Sequence, residues 1–258
     1  MNEERDDDRP RVRQADAFFK QGDAVRDYVF PLYAIDRGDT APEARRFLGT
    51  GFFLGRRNRA LTAAHVLKAV KEPVAALLAD ETGWRAYAVQ EFEIHPSEDV
   101  AVMTIEPPAS GQNWTSITHM WTGWEGSSAP YHLWGYPEDA AYELVNDDQM
   151  VPRPDLVYSE GHVRRRLTGV PLPNIQGSQF FELSGVAGGG CSGSPVLRRQ
   201  PGQMWDLIAI YVGERLNQRA TSVGYAVRME EVREWAPELV GHSLLLEANN
   251  DQSPTKQA

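Results

Sequence analysis

A glycine-bracketed serine places the strongest constraint on how this chain folds. It lies in the segment Gly190-Cys191-Ser192-Gly193-Ser194-Pro195, and two other segments precede it, Leu61-Thr62-Ala63-Ala64-His65 and Asp99-Val100-Ala101-Val102. A serine hydroxyl is a weak nucleophile until an adjacent base takes its proton, and imidazole, which titrates near neutrality, can act as that base. A carboxylate at the head of an apolar run is costly to bury unless it is paired. We therefore expect a fold that brings His65, Asp99 and Ser192 together from three distant segments.

The order of these residues, histidine then aspartate then serine, separates one architecture from the other folds that carry the same three residue types. The three segments resemble the motifs of trypsin/chymotrypsin-like serine proteases of the PA clan. The resemblance runs from about Val29 to about Trp235. It is strongest to the disulfide-poor bacterial branch that includes the glutamyl endopeptidases.

This resemblance implies a serine endopeptidase that hydrolyses peptide bonds through an acyl-enzyme intermediate. It makes Ser192 the nucleophile, His65 the general base and Asp99 the acid that orients the imidazole. The backbone N–H groups of Gly190 and Ser192 are expected to form the oxyanion hole, which stabilises the tetrahedral intermediate. Two alternatives stay open: a catalytically inactive protease fold that serves as a peptide-binding or scaffold module, and an esterase.

The resemblance also implies which residues bind the substrate, namely Val186, Tyr211, Gly213 and Val223. Val186 falls where trypsins carry an aspartate, and Tyr211 falls where glutamyl endopeptidases place a histidine. Gly213 ends the strand expected to pair with the substrate backbone. Because burying an unpaired Arg or Lys charge is costly, the pocket is expected to prefer apolar or small residues. Core packing is an equally open role for these side chains.

Cys191 raises two further points. Viral relatives use a cysteine nucleophile in a Gly-x-Cys-Gly motif, but Ser192 stands where that motif needs its second glycine. In digestive relatives the residue before the nucleophile is an aspartate that pairs with a newly cut N-terminus. Cys191 cannot form that ion pair, so activity is not expected to require removal of residues 1 to about 26. Glu98 and Asp80 are the alternatives to Asp99.

Short apolar runs separated by Gly, Pro, Asn and Asp clusters recur to about Val227 and predict an all-β protein. The resemblance implies two six-stranded antiparallel β-barrels within a protease domain at 27–243, with barrel one at about 27–110 and barrel two at about 130–228. Met229, Val232 and Trp235 fall on one helical stripe and predict a C-terminal helix at about 229–240. Residues 1–26 are predicted to be a flexible N-terminal segment and residues 244–258 a flexible tail.

Composition limits the partners and the compartment. Cys191 is the single cysteine, so no intramolecular disulfide is expected, and the acidic N-terminus lacks the apolar core of a secretory signal. These two features predict a cytoplasmic protein. The formal net charge of −10 argues against a nucleic-acid partner, and no apolar run is long enough to imply a membrane span. No metal or other cofactor is expected, because no Cys/His cluster has ligand spacing. The expected partner is a protein or peptide substrate. A regulatory protein partner is an open alternative in addition to the substrate.

Overall fold

The computed structural model describes residues 25–36, 44–55, 58–80, 83–107, 114, 116–146, 149–152, 154–199, 205–216 and 222–249. Within them the chain forms two closed antiparallel β-barrels of six strands each. The predicted all-β, chymotrypsin-like fold is thereby confirmed. Closure pairs the outer strands of each sheet with one another, so neither barrel leaves an open sheet edge.

Barrel one contains the first six strands. They are β1 (Val29–Ile35), β2 (Ala44–Phe53), β3 (Arg59–Thr62), β4 (Val74–Asp80), β5 (Gly83–Ile94) and β6 (Ala101–Ile105). Their spatial order is β1-β2-β3-β6-β5-β4. Every residue of β1 is buried, as its near-continuous apolar sequence indicates for a strand covered on both faces. A helix of five residues, α1 (Ala64–Lys68), begins two residues after β3.

Barrel two follows after a linker. Its strands are β7 (Pro130–Gly135), β10 (Val157–Thr168), β11 (Gln179–Leu183), β12 (Pro195–Arg199), β13 (Trp205–Leu216) and β14 (Ser222–Arg228). Their spatial order is β10-β11-β14-β13-β12-β7. The two intervening strands, β8 (Tyr142–Asn146) and β9 (Gln149–Pro152), form a separate two-stranded sheet.

The linker between the barrels contacts both of them. Ile117 forms a short parallel bridge to Leu54 in barrel one, and Met120 forms another to Leu207 in barrel two. The larger hydrophobic cluster also contains residues of both barrels, such as Phe30 and Val227. The barrels therefore share a hydrophobic interface, and a site at this interface can draw side chains from each.

The C-terminal helix is not where the spacing predicts it. Met229–Glu231 form a short 3-10 turn, whereas the α-helix of this region, α2, spans Leu244–Asn249. Met229 and Val232 are indeed buried, but a spacing of three residues fits a 3-10 turn as well as an α-helix. Pro237 has no N–H to donate and disfavours a helical conformation of the preceding residue, so a regular helix over 229–240 is disfavoured.

Both predicted flexible segments overlap the folded part of the chain. α2 buries Leu244 and Ala248, at the start of the predicted tail. Val25, inside the predicted N-terminal segment, opens a 3-10 turn and is 3% exposed. The rest of these two segments, 1–24 and 250–258, lies outside the described residues. Over the ranges that the structure describes, no helix has the length and apolar character needed to cross a membrane.

Candidate active site

His65 and Asp99 form a hydrogen-bonded pair on barrel one. His65 lies in α1, and Asp99 lies in the loop from β5 to β6. The Asp99 carboxylate accepts from the His65 backbone N–H at 2.9 Å and from ring Nδ1 at 2.6 Å. Because a carboxylate can only accept, Nδ1 is the donor in this bond, and in the neutral imidazole the lone pair is therefore on Nε2. The Asp99 side chain is 1% exposed and that of His65 is 45% exposed, so only the imidazole faces solvent.

Glu98 and His95, close to Asp99 in sequence, stabilise the loop and do not orient His65. Glu98 Oε2 accepts from the backbone N–H of Ser178 in barrel two at 3.2 Å, and burial raises the pKa of this carboxyl. His95 Nδ1 accepts from two backbone N–H groups of its own loop, at 3.2 and 3.0 Å. Burial lowers the pKa of His95, which favours the neutral ring that these bonds require. Asp99 is therefore the acid that contacts His65.

Ser192 approaches the same place from barrel two. Its carbonyl oxygen accepts from the N–H of Thr50 in β2 at 2.9 Å. The next residue, Gly193, has a φ of 93°, and a Cβ there would overlap Thr50 O and lie 3.1 Å from Ala63 N. Only glycine combines that backbone angle with so close an approach. Since Ala63 lies two residues before His65, these contacts place the serine turn against the start of α1.

The Ser192 hydroxyl is free to meet a substrate. The residue is half-buried, and in the described part of the chain its hydroxyl makes no hydrogen bond, to His65 or to any other group. Catalytic hydrogen bonds are often long before substrate binds and tighten in the complex. The structure thus brings the three predicted residues into one region and joins two of them directly.

Two backbone N–H groups beside Ser192 are also available. The carbonyl of Gly189 accepts from the N–H of Glu138 at 2.8 Å, and the carbonyl of Cys191 accepts from the N–H three residues later at 3.0 Å. In a trans peptide the C=O and N–H groups point in opposite directions, so the N–H groups of Gly190 and Ser192 point away from these partners. Across the described ranges neither donates to an acceptor. Both can therefore donate to an anionic oxygen.

The Cys191 thiol and the Tyr211 phenol hold the backbone of one residue of the neighbouring loop, Ala187. Cys191 Sγ donates to Ala187 O at 2.9 Å, and Tyr211 Oη accepts from Ala187 N at 3.3 Å. Burial raises the pKa of Cys191 to about 12 and also raises the pKa of Tyr211, with the charge of Glu214 adding to both shifts. Both groups stay neutral at ordinary pH, so Cys191 acts as a structural donor and not as a nucleophile.

We expect the folded chain to resist thiol alkylation. A buried thiol with a pKa of about 12 has almost no thiolate at about pH 8. Iodoacetamide should therefore leave the native protein unmodified and should add one group after unfolding in guanidinium, as intact-mass spectrometry will count. Rapid modification of the folded chain would mean an accessible thiolate and would restore Cys191 as a rival to Ser192.

The four residues predicted to bind the substrate differ in exposure and in packing. Val186 lies in the loop between β11 and β12 and is 38% exposed. Gly213 has a φ of 136°, and a Cβ there would meet nothing within 4 Å. The ring of Tyr211 lies beneath Gly224, whose Cβ would be 2.9 Å from Tyr211 Cε2. Val223 packs in the larger core cluster, separate from the cluster of Tyr211. Because successive side chains alternate between sheet faces, Val223 points to the face opposite the one on which Gly224 meets the Tyr211 ring.

Thr50 is a site residue that sequence reasoning missed. It is fully buried, its N–H donates to Ser192 O, and its carbonyl accepts from Thr62 Oγ1 at 2.7 Å. The sequence offered one signal. Thr50 is a polar residue in an apolar strand, which needs hydrogen-bond partners when it is buried, and glycines at 49 and 51 flank it. A Cβ at Gly49 would lie 3.0 Å from Ser192 O, so this glycine permits the close approach of the serine turn.

Comparison with known proteins matches the chain to one family model and to many solved structures. A family model for trypsin-like peptidase domains matches residues 49–210. Among solved structures the chain is similar to Deg5, with a TM-score of 0.59 at 16% identity over 88% of this chain and 94% of that one. It is also similar to the MamO protease domain from Magnetospirillum magneticum, with a TM-score of 0.56 at 14% identity over 81% and 95% of the two chains.

A third similar structure is the HtrA-type protease AlgW with a decapeptide, with a TM-score of 0.56 at 15% identity. The match covers 80% of this chain but only 62% of AlgW. At these identities the structural likeness concerns the fold alone. No curated protein sequence matches the chain. The narrower resemblance to the glutamyl endopeptidases stays a prediction.

Proposed function

Since this chain belongs to the family of trypsin-like peptidases, we propose that it is a serine endopeptidase. The observation that carries the proposal is the buried Asp99 carboxylate, which accepts from Nδ1 of a half-exposed His65 beside the glycine-bracketed Ser192. Such a pair leaves Nε2 as a base directed at the cleft. The substrate class is a protein or peptide.

In the proposed reaction, Ser192 Oγ attacks the scissile carbonyl carbon while His65 Nε2 takes the hydroxyl proton. The carbonyl oxygen becomes negative and accepts from the N–H groups of Gly190 and Ser192. The C–N bond then breaks, and the imidazolium gives its proton to the leaving amine. Water repeats the sequence on the acyl-enzyme and restores the serine. Asp99 stabilises the imidazolium in both halves, and no metal or other cofactor enters.

A second candidate is a catalytically inactive protease fold that binds peptides or serves as a scaffold. The observation in its favour is the Ser192 hydroxyl, which has no hydrogen bond to His65 in the described residues. Labelling with a fluorophosphonate probe separates the two candidates, because the probe reacts with an activated serine whatever the natural substrate. Labelling of the folded protein, lost on heat denaturation, supports the enzyme. A folded protein that stays unlabelled supports the inactive module.

A cytoplasmic, bacterial setting is part of the proposal. With one cysteine, which is buried, the fold needs no oxidising compartment, and the bacterial origin rests on the resemblance. No nucleic-acid partner is proposed, because the arginine cluster is neutralised within the protein. Arg164 and Arg165 pair with Glu182, and Arg166 pairs with Glu230. A regulatory protein partner remains part of the hypothesis, and so does activity that is independent of N-terminal cleavage.

The pocket is proposed to accept small or apolar side chains before the scissile bond. Val186 borders it, Tyr211 lies beneath Gly224 at its base, and Gly213 offers open backbone along its edge. A buried substrate Lys or Arg would meet no carboxylate at position 186, at a cost of several kcal/mol. A peptide-library cleavage profile should therefore be dominated by residues such as Ala, Val or Leu.

The exposed Glu214 supplies the matched control for this profile. The variant Glu214→Gln should leave the profile unchanged. Dominant cleavage after Lys or Arg would contradict the prediction. Loss of that cleavage in Glu214→Gln would identify this carboxylate as the group that reads the charge.

A further inference from the structure

The run Gly188-Gly189-Gly190, which precedes Ser192, has no side chains to hold its own conformation. Gly188 and Gly190 have φ angles of 90° and 91°, in a region that glycine enters freely but that other residues avoid. Such a segment is flexible unless outside groups bind its backbone. In the proposed reaction the Gly190 N–H donates to the oxyanion, so the direction of this N–H depends on those outside groups.

The Thr50 hydroxyl is one of these groups, and it comes from barrel one. Thr50 Oγ1 accepts from the backbone N–H of Tyr136 at 2.9 Å and donates to the carbonyl of Gly190 at 3.2 Å. Both the threonine and Tyr136 are buried. The hydroxyl therefore joins the turn after β7 to the glycine run by a continuous pair of hydrogen bonds.

The turn after β7 holds the glycine run at a second point. Glu138, two residues beyond Tyr136, donates its N–H to the carbonyl of Gly189 at 2.8 Å. The Thr50 hydroxyl thus contacts both the run and the turn that supports it. The surroundings of Gly190 are tight, since a Cβ there would overlap the Phe47 ring and lie 2.7 Å from Glu138 N.

The Gly190 N–H belongs to the Gly189–Gly190 peptide, and the Gly190 carbonyl belongs to the next peptide. We propose that Thr50 is a positioning residue whose hydroxyl, by binding the Gly190 carbonyl and the Tyr136 N–H, fixes the backbone around Gly190 so that its N–H points at the oxyanion. The inference rests on the proposed endopeptidase function and adds a barrel-one residue to the oxyanion hole of barrel two. Without the hydroxyl, the Tyr136 N–H and the Gly190 carbonyl both lose a buried partner, which is unfavourable. Glycine changes its φ and ψ angles at little cost, so the strain is relieved by rotation about the bonds of Gly190, which turns the Gly189–Gly190 peptide and moves its N–H out of the oxyanion hole.

Three threonine variants test this inference. Thr50→Val keeps the shape and removes the hydroxyl, whereas Thr50→Ser keeps the hydroxyl. Thr104→Val is the matched control, because Thr104 lies in barrel one and its hydroxyl accepts from Arg59 Nη1 at 2.5 Å. For each variant, the fluorophosphonate labelling rate is measured against probe concentration, which separates the maximal rate from the half-saturating concentration.

Thr50→Val should lower the maximal labelling rate about 10- to 100-fold, with little change in the half-saturating probe concentration. This loss is somewhat smaller than that caused by removing an oxyanion donor itself. Thr50→Ser should restore most of the rate, and Thr104→Val should leave it unchanged. A Thr50→Val rate within about twofold of wild type would overturn the proposal, since loss of an oxyanion donor costs far more. A Thr50→Ser rate as low as that of Thr50→Val would overturn the role of the hydroxyl.

Amide hydrogen exchange, followed by NMR, tests the positioning without any catalytic activity. The Glu138 N–H bonds to Gly189 and not to Thr50, so it reports movement of the glycine run. Its exchange should accelerate in Thr50→Val and not in Thr50→Ser or Thr104→Val. If exchange at Glu138 is faster in Thr50→Val but the wild-type protein is not labelled by the probe, the positioning role is supported and the proposed function is contradicted. Unchanged exchange at Glu138 in Thr50→Val would overturn the positioning role, whatever the labelling.

Discussion

Ser192→Ala is expected to abolish fluorophosphonate labelling and to lower peptide hydrolysis by about 10⁴- to 10⁶-fold. The fold should be retained, because the Ser192 hydroxyl contributes no hydrogen bond in the described part of the chain. His65→Ala should lose a comparable amount. The double variant should be hardly worse than either single variant, because nucleophile and base act as one unit. Labelling gels, cleavage rates and circular dichroism of the same preparations supply the comparison.

Ser194→Ala is the matched control for this experiment. Ser194 lies two residues further along, and its buried hydroxyl has no hydrogen-bond partner within the described ranges. Its removal should leave labelling at the wild-type level, with stability unchanged or raised by about 1 kcal/mol because an unpaired buried hydroxyl is unfavourable. Equal labelling of the wild type and Ser192→Ala would remove Ser192 from the reaction.

Asp99→Asn is expected to lower kcat by about 10⁴-fold with little change in the fold. The substituted amide oxygen can still accept from the His65 backbone N–H, which donates to Asp99 Oδ1 at 2.9 Å. The amide NH₂ then faces Nδ1, which must become the acceptor, and the ring proton moves to Nε2. A protonated Nε2 cannot take the serine proton, so the tautomer is wrong for a general base.

Glu98, the neighbouring carboxylate, allows the same acid-to-amide substitution at a residue that does not contact His65. Glu98→Gln keeps an oxygen that can accept from the Ser178 N–H, so labelling and hydrolysis should stay near wild type. A large loss in Glu98→Gln together with a small loss in Asp99→Asn would transfer the orienting role to Glu98. Hydrolysis rates of the two variants on one peptide substrate decide between these outcomes.

The contact between His65 and Asp99 could be predicted from sequence because the chemistry specifies the residue types and the resemblance to a known family supplies their motifs. The contacts of Thr50 could not, since its partners Ser192, Gly190 and Tyr136 lie on the other barrel. Nothing in the local sequence around Thr50 identifies them. Only the closed topology of the two sheets brings these groups together.

Two other sequence-based assignments differ from the structure for physical reasons. Met229 and Val232 are buried as the pattern indicates, but their spacing does not distinguish a 3-10 turn from a longer helix. The assignment of Val223 to the pocket came from the resemblance, whereas its side chain packs in the larger core cluster. The register of β13 against β14 shifts between Tyr211 and Gly213, and such an irregularity changes which residues stand opposite one another.

The division of the site between the barrels makes the proposed catalysis sensitive to their relative motion. Hydrogen bonds that cross the interface include Thr50 N–H to Ser192 O and the Ser178 N–H to Glu98. A displacement of about 1 Å between reacting groups can cost 100-fold in rate while both hydrophobic cores stay intact. Substitutions at this interface can therefore inactivate the protein without changing its melting temperature or circular dichroism. Activity is then the more sensitive measure of whether the two barrels are correctly docked.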